Sequence, residues 1–289
     1  MMYRLVKGTF RLFYTSASGS LRSGAPDGDS IWFRPNNPKR FDGLGRRKVR
    51  YNKGDCVQLR FEGVDALELH YQGLHQRLAD AAASRDLIIE KLGFGEVTYG
   101  GGSGMLARTA VVHPVPGYIL TNGVDPHGRP ISFVFAGELD KRDGAGMVLD
   151  ETLLRRSMNG QLAASGQAYP MLYTSLPEEV REWLGERFDA ARSEKLGVWR
   201  VDRTTAGTKL SSLSAVEEVA LWPKFFRRVA SWFRGKAGGS FRTWLASERS
   251  SDDVMLVDGE ERRMSELIWE RRGKVGMVAG VWGGVVVPR

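Results

Sequence analysis

The chain has 289 residues, 42% hydrophobic and 26% charged, which suits one large or two small globular domains with packed cores. Its formal net charge of +8 and isoelectric point near 9.7 favour polyanionic partners, nucleic acid before anionic membrane. A single cysteine, Cys56, excludes an intramolecular disulfide, four histidines without ligand spacing argue against structural zinc, and no apolar run approaches the roughly 18 residues of a membrane-spanning helix.

The N-terminal MMYRLVKGTFRLFY meets charge too early for a signal peptide, so the chain as given is expected to be cytoplasmic, with export left open. Residues 3–14 alternate as a strand. A Ser- and Gly-rich loop follows, and its PDGD is a turn in which Pro presets φ and Gly28 permits positive φ. Ile31, Trp32 and Phe33 begin a second strand. The long basic connection FRPNNPKRFDGLGRRKVRYNKGD leads to Val57, where Val57, Leu59 and Phe61 alternate with Gln58, Arg60 and Glu62 until Gly63 breaks the rhythm.

Leu74, Leu78, Ala81, Ala82, Ile88, Ile89 and Leu92 predict a helix over 74–92, closed by Gly93. The run GFGEVTYGGGSG lacks the following GK[ST] of a phosphate loop and reads as a flexible loop. Strands near Tyr118–Leu120 and Ile131–Phe135 flank a hairpin-like turn, TNGVDPHGRP. LDETLLRRSMNGQL reads as a short helix, about 149–159. Over 176–199 a longer one carries the stripe Val180, Trp183, Leu184, Phe188 and Ala191, with Ser175 and Glu178 at capping-box spacing. The polar stretch VDRTTAGTKLSSLS suggests a boundary between a domain at 1–200 and a smaller one at 215–289, where a helix over 222–233 precedes strands at 254–258 and 275–287.

The charged residues that stand out sit in turns: Asp29, Arg60, Asp65, Glu68 and Arg129. Singly, each is readily a solvated turn residue, and a surface pair of Arg60 with Glu62 or Glu68 is worth at most about 1 kcal/mol.

Their order carries more. DGD (27–29), RFEGVDALE (60–68), DPHGR (125–129) and EKLGVW (194–199) together resemble the motifs of the thermonuclease (staphylococcal-nuclease-like) family, over about residues 5–200. The resemblance implies a five-stranded OB-fold barrel with three helices, here joined to a small α+β C-terminal appendage, and calcium-dependent endonuclease hydrolysis of DNA and RNA phosphodiesters. Asp29 and Asp65 fall on the family's metal-binding carboxylates and Ala66 on its backbone-carbonyl ligand. Glu68 falls on the water-activating base, and Arg60 and Arg129 on the phosphate-clamping arginines. One calcium ion takes six to eight hard oxygens, and guanidinium forks match phosphate oxygens, so the set is chemically coherent.

Departures are Leu67 for the family's proline and Pro126–His127 for its lysine–tyrosine. His127 remains a donor to substrate phosphate, and the nucleotide-packing tyrosine is either Tyr169 or Tyr173. The alternative function is an OB module that binds nucleic acid without cutting it.

In the appendage, Trp222, Phe225, Phe226, Val229, Trp232 and Phe233 share one face, while Lys224, Arg227, Arg228 and Arg234 mostly fall outside it. The helix is expected to pack on the nuclease domain or to extend nucleic-acid binding. A membrane role is disfavoured by the strands that follow.

Overall fold

The computed structural model describes residues 1–45, 47–102, 104–235 and 239–287. Arg46 of the basic connection and Ser103 of the glycine run lie outside the described residues. The chain forms two compact units, Met1–Glu62 with Ala82–Leu162 and Gly63–Ala81 with Ala163–Arg289. This division does not follow the expected 1–200 and 215–289.

The first unit is built on one sheet. Val57–Gln58, Trp32–Pro35, Tyr3–Arg11, Val115–Val124, Pro130–Ala136 and Arg60–Phe61 are neighbours in that order, and Gly146–Met147 adds to Tyr3–Arg11. The pairs are antiparallel except Pro130–Ala136 with Arg60–Phe61, which is parallel. Both edges come from one segment, residues 57–61, interrupted only at Leu59, whose N–H donates to the Ile31 carbonyl at 2.9 Å. The segment bends from one edge to the other, so five passes of the chain make a nearly closed barrel. Gly8 and Gly117 face each other in register; a Cβ on either would collide with Arg34 backbone or the Phe10 ring, and their absence lets the sheet curl. Leu5, Phe10, Phe33, Leu59, Phe61, Ile119 and Phe133 fill the core, all essentially closed to solvent.

Three expectations for this part of the chain are corrected. The helix over 74–92 starts at Leu78: Leu74 closes a turn onto the Tyr71 carbonyl at 2.9 Å, and positive φ at Gln72 and Arg77 keeps this stretch out of the helix. The helix over 149–159 is two, Glu151–Arg156 and Met158–Ala164. They part at Ser157, whose ψ of 148° is extended and whose hydroxyl donates to the Leu154 carbonyl at 2.7 Å. The run read as a flexible loop holds a hairpin, Val97–Gly100 with Leu106–Ala110. The Thr98 and Thr109 hydroxyls pair at 2.7 Å, and the Arg85 guanidinium covers the Tyr99 ring at 3.9 Å.

The second unit begins with the short strand Gly63–Asp65, antiparallel to Tyr169–Met171. Helix Glu178–Ser193 buries Val180, Leu184, Phe188 and Ala191, but the capping box is corrected: its N-cap is Pro177, with no side-chain cap bond. The 3-10 turn Gly197–Arg200 follows, then helices Leu213–Glu217, Pro223–Arg234 and Phe241–Ser247. Two hairpins come next, Val254–Val257 with Glu260–Arg263 and Ile268–Arg271 with Lys274–Met277. The strand expected over 275–287 is split by a 3-10 turn at Ala279–Gly283, after which Val285–Val286 pairs with Val254–Val257.

Helix Pro223–Arg234 buries Phe225, Phe226, Val229 and Ala230 within this unit. Its cations are also engaged. Lys224 and Arg228 reach Asp253 at 3.1 and 2.8 Å, and Arg234 bonds to Gln72. Among the described residues no helix is long and apolar enough to cross a membrane.

Candidate functional site

Each unit holds part of the expected site. In the first, backbone register gathers three residues. The Phe61 N–H donates to the Asp29 carbonyl at 3.0 Å, setting Asp29 beside Arg60–Phe61. Arg60 pairs in parallel with Ile131, two residues beyond Arg129. Asp29, Arg60 and Arg129 therefore converge at one end of the barrel sheet, each half-buried.

Arg129 is held by a residue the sequence reading did not single out. The Asp125 carboxylate accepts from the N–H groups of His127 and Arg129 at 2.8 and 2.9 Å, and from Arg129 Nε at 2.7 Å. Gly128 completes the turn at φ +81°, and its carbonyl accepts from the Arg50 N–H at 2.9 Å. Burial raises the Asp125 carboxyl, but the Arg129 N–H, the Arg129 guanidinium and the His127 N–H together hold it below the ordinary carboxylate value. The Nε bond leaves the other edge of the Arg129 fork, and the side chain is 25% exposed. His127, Lys48 and Arg50 are exposed around the same turn.

The second unit holds Asp65, Ala66 and Glu68. Gly63 starts this strand at φ +80°, and a Cβ there would lie 2.6 Å from Leu184 Cδ1, so no other residue fits without strain and repacking. That is the physical reason the alternation of 57–61 breaks where it does. Asp65 and Leu67 are fully buried, Ala66 nearly so. Beyond them the Gln76 N–H donates to the Glu68 carbonyl at 2.8 Å, the Gln76 amide accepts from the Glu68 N–H at 3.3 Å and donates to the Leu221 carbonyl at 2.8 Å. The loop is thereby tied to the residues that open helix Pro223–Arg234.

That helix delivers Arg227. Its Nη2 donates to Asp65 Oδ2 at 2.9 Å, and its Nη1 to Asp65 Oδ1 at 3.1 Å and to Glu68 Oε1 at 2.6 Å. The guanidinium thus makes a two-pronged bond to Asp65 and shares one prong with Glu68. Burial disfavours its charge, but the two carboxylates more than offset this and hold its pKa well above the ordinary arginine value. The side chains of Arg227, Asp65 and Glu68 are 20%, 0% and 13% exposed.

This arrangement does not fit calcium. The ion needs open carboxylate oxygens in a shell of six to eight, whereas a guanidinium already faces both carboxylates. Among the described residues no group of three or more His, Cys, Asp and Glu side chains is gathered as for a metal.

The tyrosines part company. Tyr169 is fully buried; its ring packs against Trp199 and Trp282, with centroids 5.0 and 5.7 Å away, and its hydroxyl donates to Asp202 at 3.0 Å. Tyr169 thus lies in the core of the second unit. Tyr173 is half-buried and bridges to Val286.

Neither family models nor curated protein sequences match the chain.

Proposed function

We propose that the chain grips the phosphodiester backbone of DNA or RNA on an OB-type barrel and hydrolyses it once Arg227 leaves Asp65 and Glu68. The observation that carries this reading is the backbone register that sets Asp29, Arg60 and Arg129 at one end of the barrel sheet, with exposed Lys48, Arg50 and His127 around the Arg129 turn. Arg60 in an edge strand and Arg129 in a turn suit a tetrahedral oxyanion better than they suit each other, because each fork takes two phosphate oxygens. The resemblance in sequence joins this edge to Asp65, Ala66 and Glu68. In the hydrolytic state Glu68 takes the proton of the attacking water, a contribution of about 10²–10⁴-fold. With Arg227 displaced, the Asp65 and Glu68 carboxylates would be open to a calcium ion, which would supply positive charge beside the phosphate.

A second reading is binding without hydrolysis, and the Arg227 ion pair favours it, since a permanent guanidinium would replace the metal for good. The experiment is cleavage and binding of labelled single-stranded DNA and RNA, with calcium and with chelator. It compares wild type, Arg227→Ala, Arg227→Gln and the double change Arg227→Gln/Glu68→Gln. Calcium-dependent cleavage that rises at least about tenfold on losing Arg227, and falls about 10²-fold or more on losing Glu68 as well, supports the hydrolytic reading. Salt-dependent binding without cleavage in every variant leaves the binding reading. Absence of both removes the nucleic-acid assignment.

A further inference from the structure

The second unit carries a concave surface of about 610 Å³ that none of the expected site residues line. Arg77, Arg200, Arg203, Lys209 and Lys274 surround it, with Glu218 the one acidic residue in its lining. Five cations against Glu218 in the lining and Asp80 behind two of them leave a local charge of +3. Lys224 and Arg228 of the same unit are spent on Asp253. Here Lys209 and Lys274 are exposed and make no ion pair among the described residues.

The backbone beneath is fixed. The N–H groups of Thr208 and Val275 donate to each other's carbonyls at 2.9 and 2.8 Å, which clamps Lys209 near Lys274. Gly207, at φ +72°, lies so close to Trp269 that a Cβ would collide with the indole. Arg203 is tied through its N–H to the Ala220 carbonyl at 2.8 Å, and Arg77 through its N–H to the Glu217 carbonyl at 2.6 Å. Asp80 orients two of the guanidiniums, holding Arg77 Nε at 2.7 Å and lying 3.7 Å from Arg200. Like charges are thus held around the hollow, with Lys209 and Lys274 exposed at its wall.

We infer that this hollow binds the phosphates of a phosphate-bearing ligand, either successive phosphates of a nucleic-acid strand or those of a free polyphosphate compound. The volume lies within the range of small-ligand sites. Two chemistries in the lining select phosphate. Arginine forks and lysine point charges together match a multiply charged anion with several oxygens. No aromatic side chain lines the hollow among its described residues, so it offers no stacking platform for a base. Recognition is therefore of charge and phosphate geometry, independent of base sequence. The inference goes beyond the proposed function and needs neither Asp65 nor Glu68.

The test uses the full-length protein and two probes, a labelled oligothymidylate and inorganic tripolyphosphate. Lys209→Gln/Lys274→Gln is compared with wild type and with an equal-charge control, Lys91→Gln/Arg262→Gln, whose residues lie outside the lining. The expected result is at least about tenfold weaker binding in the cavity variant only, with the salt slope for the strand shallower by about 1.4, or 0.7 for each lost phosphate contact. Tripolyphosphate that competes in wild type but not in the cavity variant assigns the hollow to free phosphate compounds. Strand binding that tripolyphosphate leaves intact, yet the variant loses, assigns it to a nucleic-acid backbone. Equal losses in the cavity variant and the control, or no loss in either, overturn the inference.

Discussion

Glu62 and Asp65 are three residues apart, one ending the first part of the barrel unit and the other in the strand that opens the second unit, and both are buried. They meet the cost of burial in opposite ways. Glu62 Oε2 has no hydrogen-bond partner among the described residues, and burial pushes its carboxyl up to about 8, so it stays protonated at neutral pH. Asp65 is fully buried as well but receives two prongs of Arg227. The lesson is that burial alone does not tell what a carboxylate is for. One acid is kept neutral by apolar surroundings, the other is matched to a cation that arrives from 162 residues away.

Removing Arg227 breaks that contrast most sharply. Arg227→Ala leaves Asp65 buried without its partner, and the expected cost is about 3–5 kcal/mol of unfolding free energy. Urea melts check it, and Arg227→Ala/Asp65→Asn should recover most of the loss. Calcium supplies the finer reading. If the pair is a vacated metal site, calcium should stabilise Arg227→Ala and leave wild type unchanged, by an amount that grows with its concentration. Equal response of the two proteins would mean the carboxylates belong to Arg227 alone.

Glu62 comes next. Its folded pKa is raised, so between about 4.5 and about 8 the unfolded chain loses a proton that the folded chain keeps. Stability contributed by this residue is unaffected below that window, falls as pH rises through it, and levels off above. The full penalty is at most about 5 kcal/mol, from 1.36 kcal/mol for each pKa unit. Glu62→Gln should therefore be more stable than wild type above about pH 8, and the advantage should shrink toward pH 4.5. A variant no more stable than wild type at both ends would show that Glu62 finds a partner in solution.

What could be read from the sequence divides along the same line of local against distant. The five passes of the barrel were legible because alternation and turn residues act over a few positions. Gly63 was legible as a break, though not as the place where Leu184 leaves no room for a side chain. The aromatic face of 222–233 was legible as a face, of which Trp222, Phe225, Phe226 and Val229 are buried while Trp232 and Phe233 are half-buried. Asp125 could have been found, since an aspartate opening DPHGR is a turn acceptor with an arginine four residues on. Arg227 could not. Nothing near it in sequence distinguishes it from Arg228, and its role is set by the Gln76–Leu221 bond that ties the 66–76 loop to the start of its helix. The burial of Tyr169 was hidden for a related reason: the cage of Trp199 and Trp282 is assembled from three separate parts of the chain.

The smallest expected effect sharpens the local side of the comparison. Asp150 and Ser175 both stand before helices as apparent caps. Asp150 Oδ1 accepts from the Leu153 N–H at 2.8 Å and satisfies a donor that the first helical turn leaves open. Ser175 lies two residues ahead of the real N-cap, Pro177, and no side chain caps that helix. Asp150→Ala should thus cost about 1 kcal/mol, the usual worth of a side-chain cap. Ser175→Ala should stay within about 0.5 kcal/mol of wild type, as surface changes do. Paired urea melts of the two variants decide it. If Ser175→Ala costs as much as Asp150→Ala, the capping box forms in solution and the helix starts where its sequence spacing puts it. If neither costs anything, these helix ends are held by packing of Leu153, Leu154, Val180 and Leu184, and capping adds nothing to them.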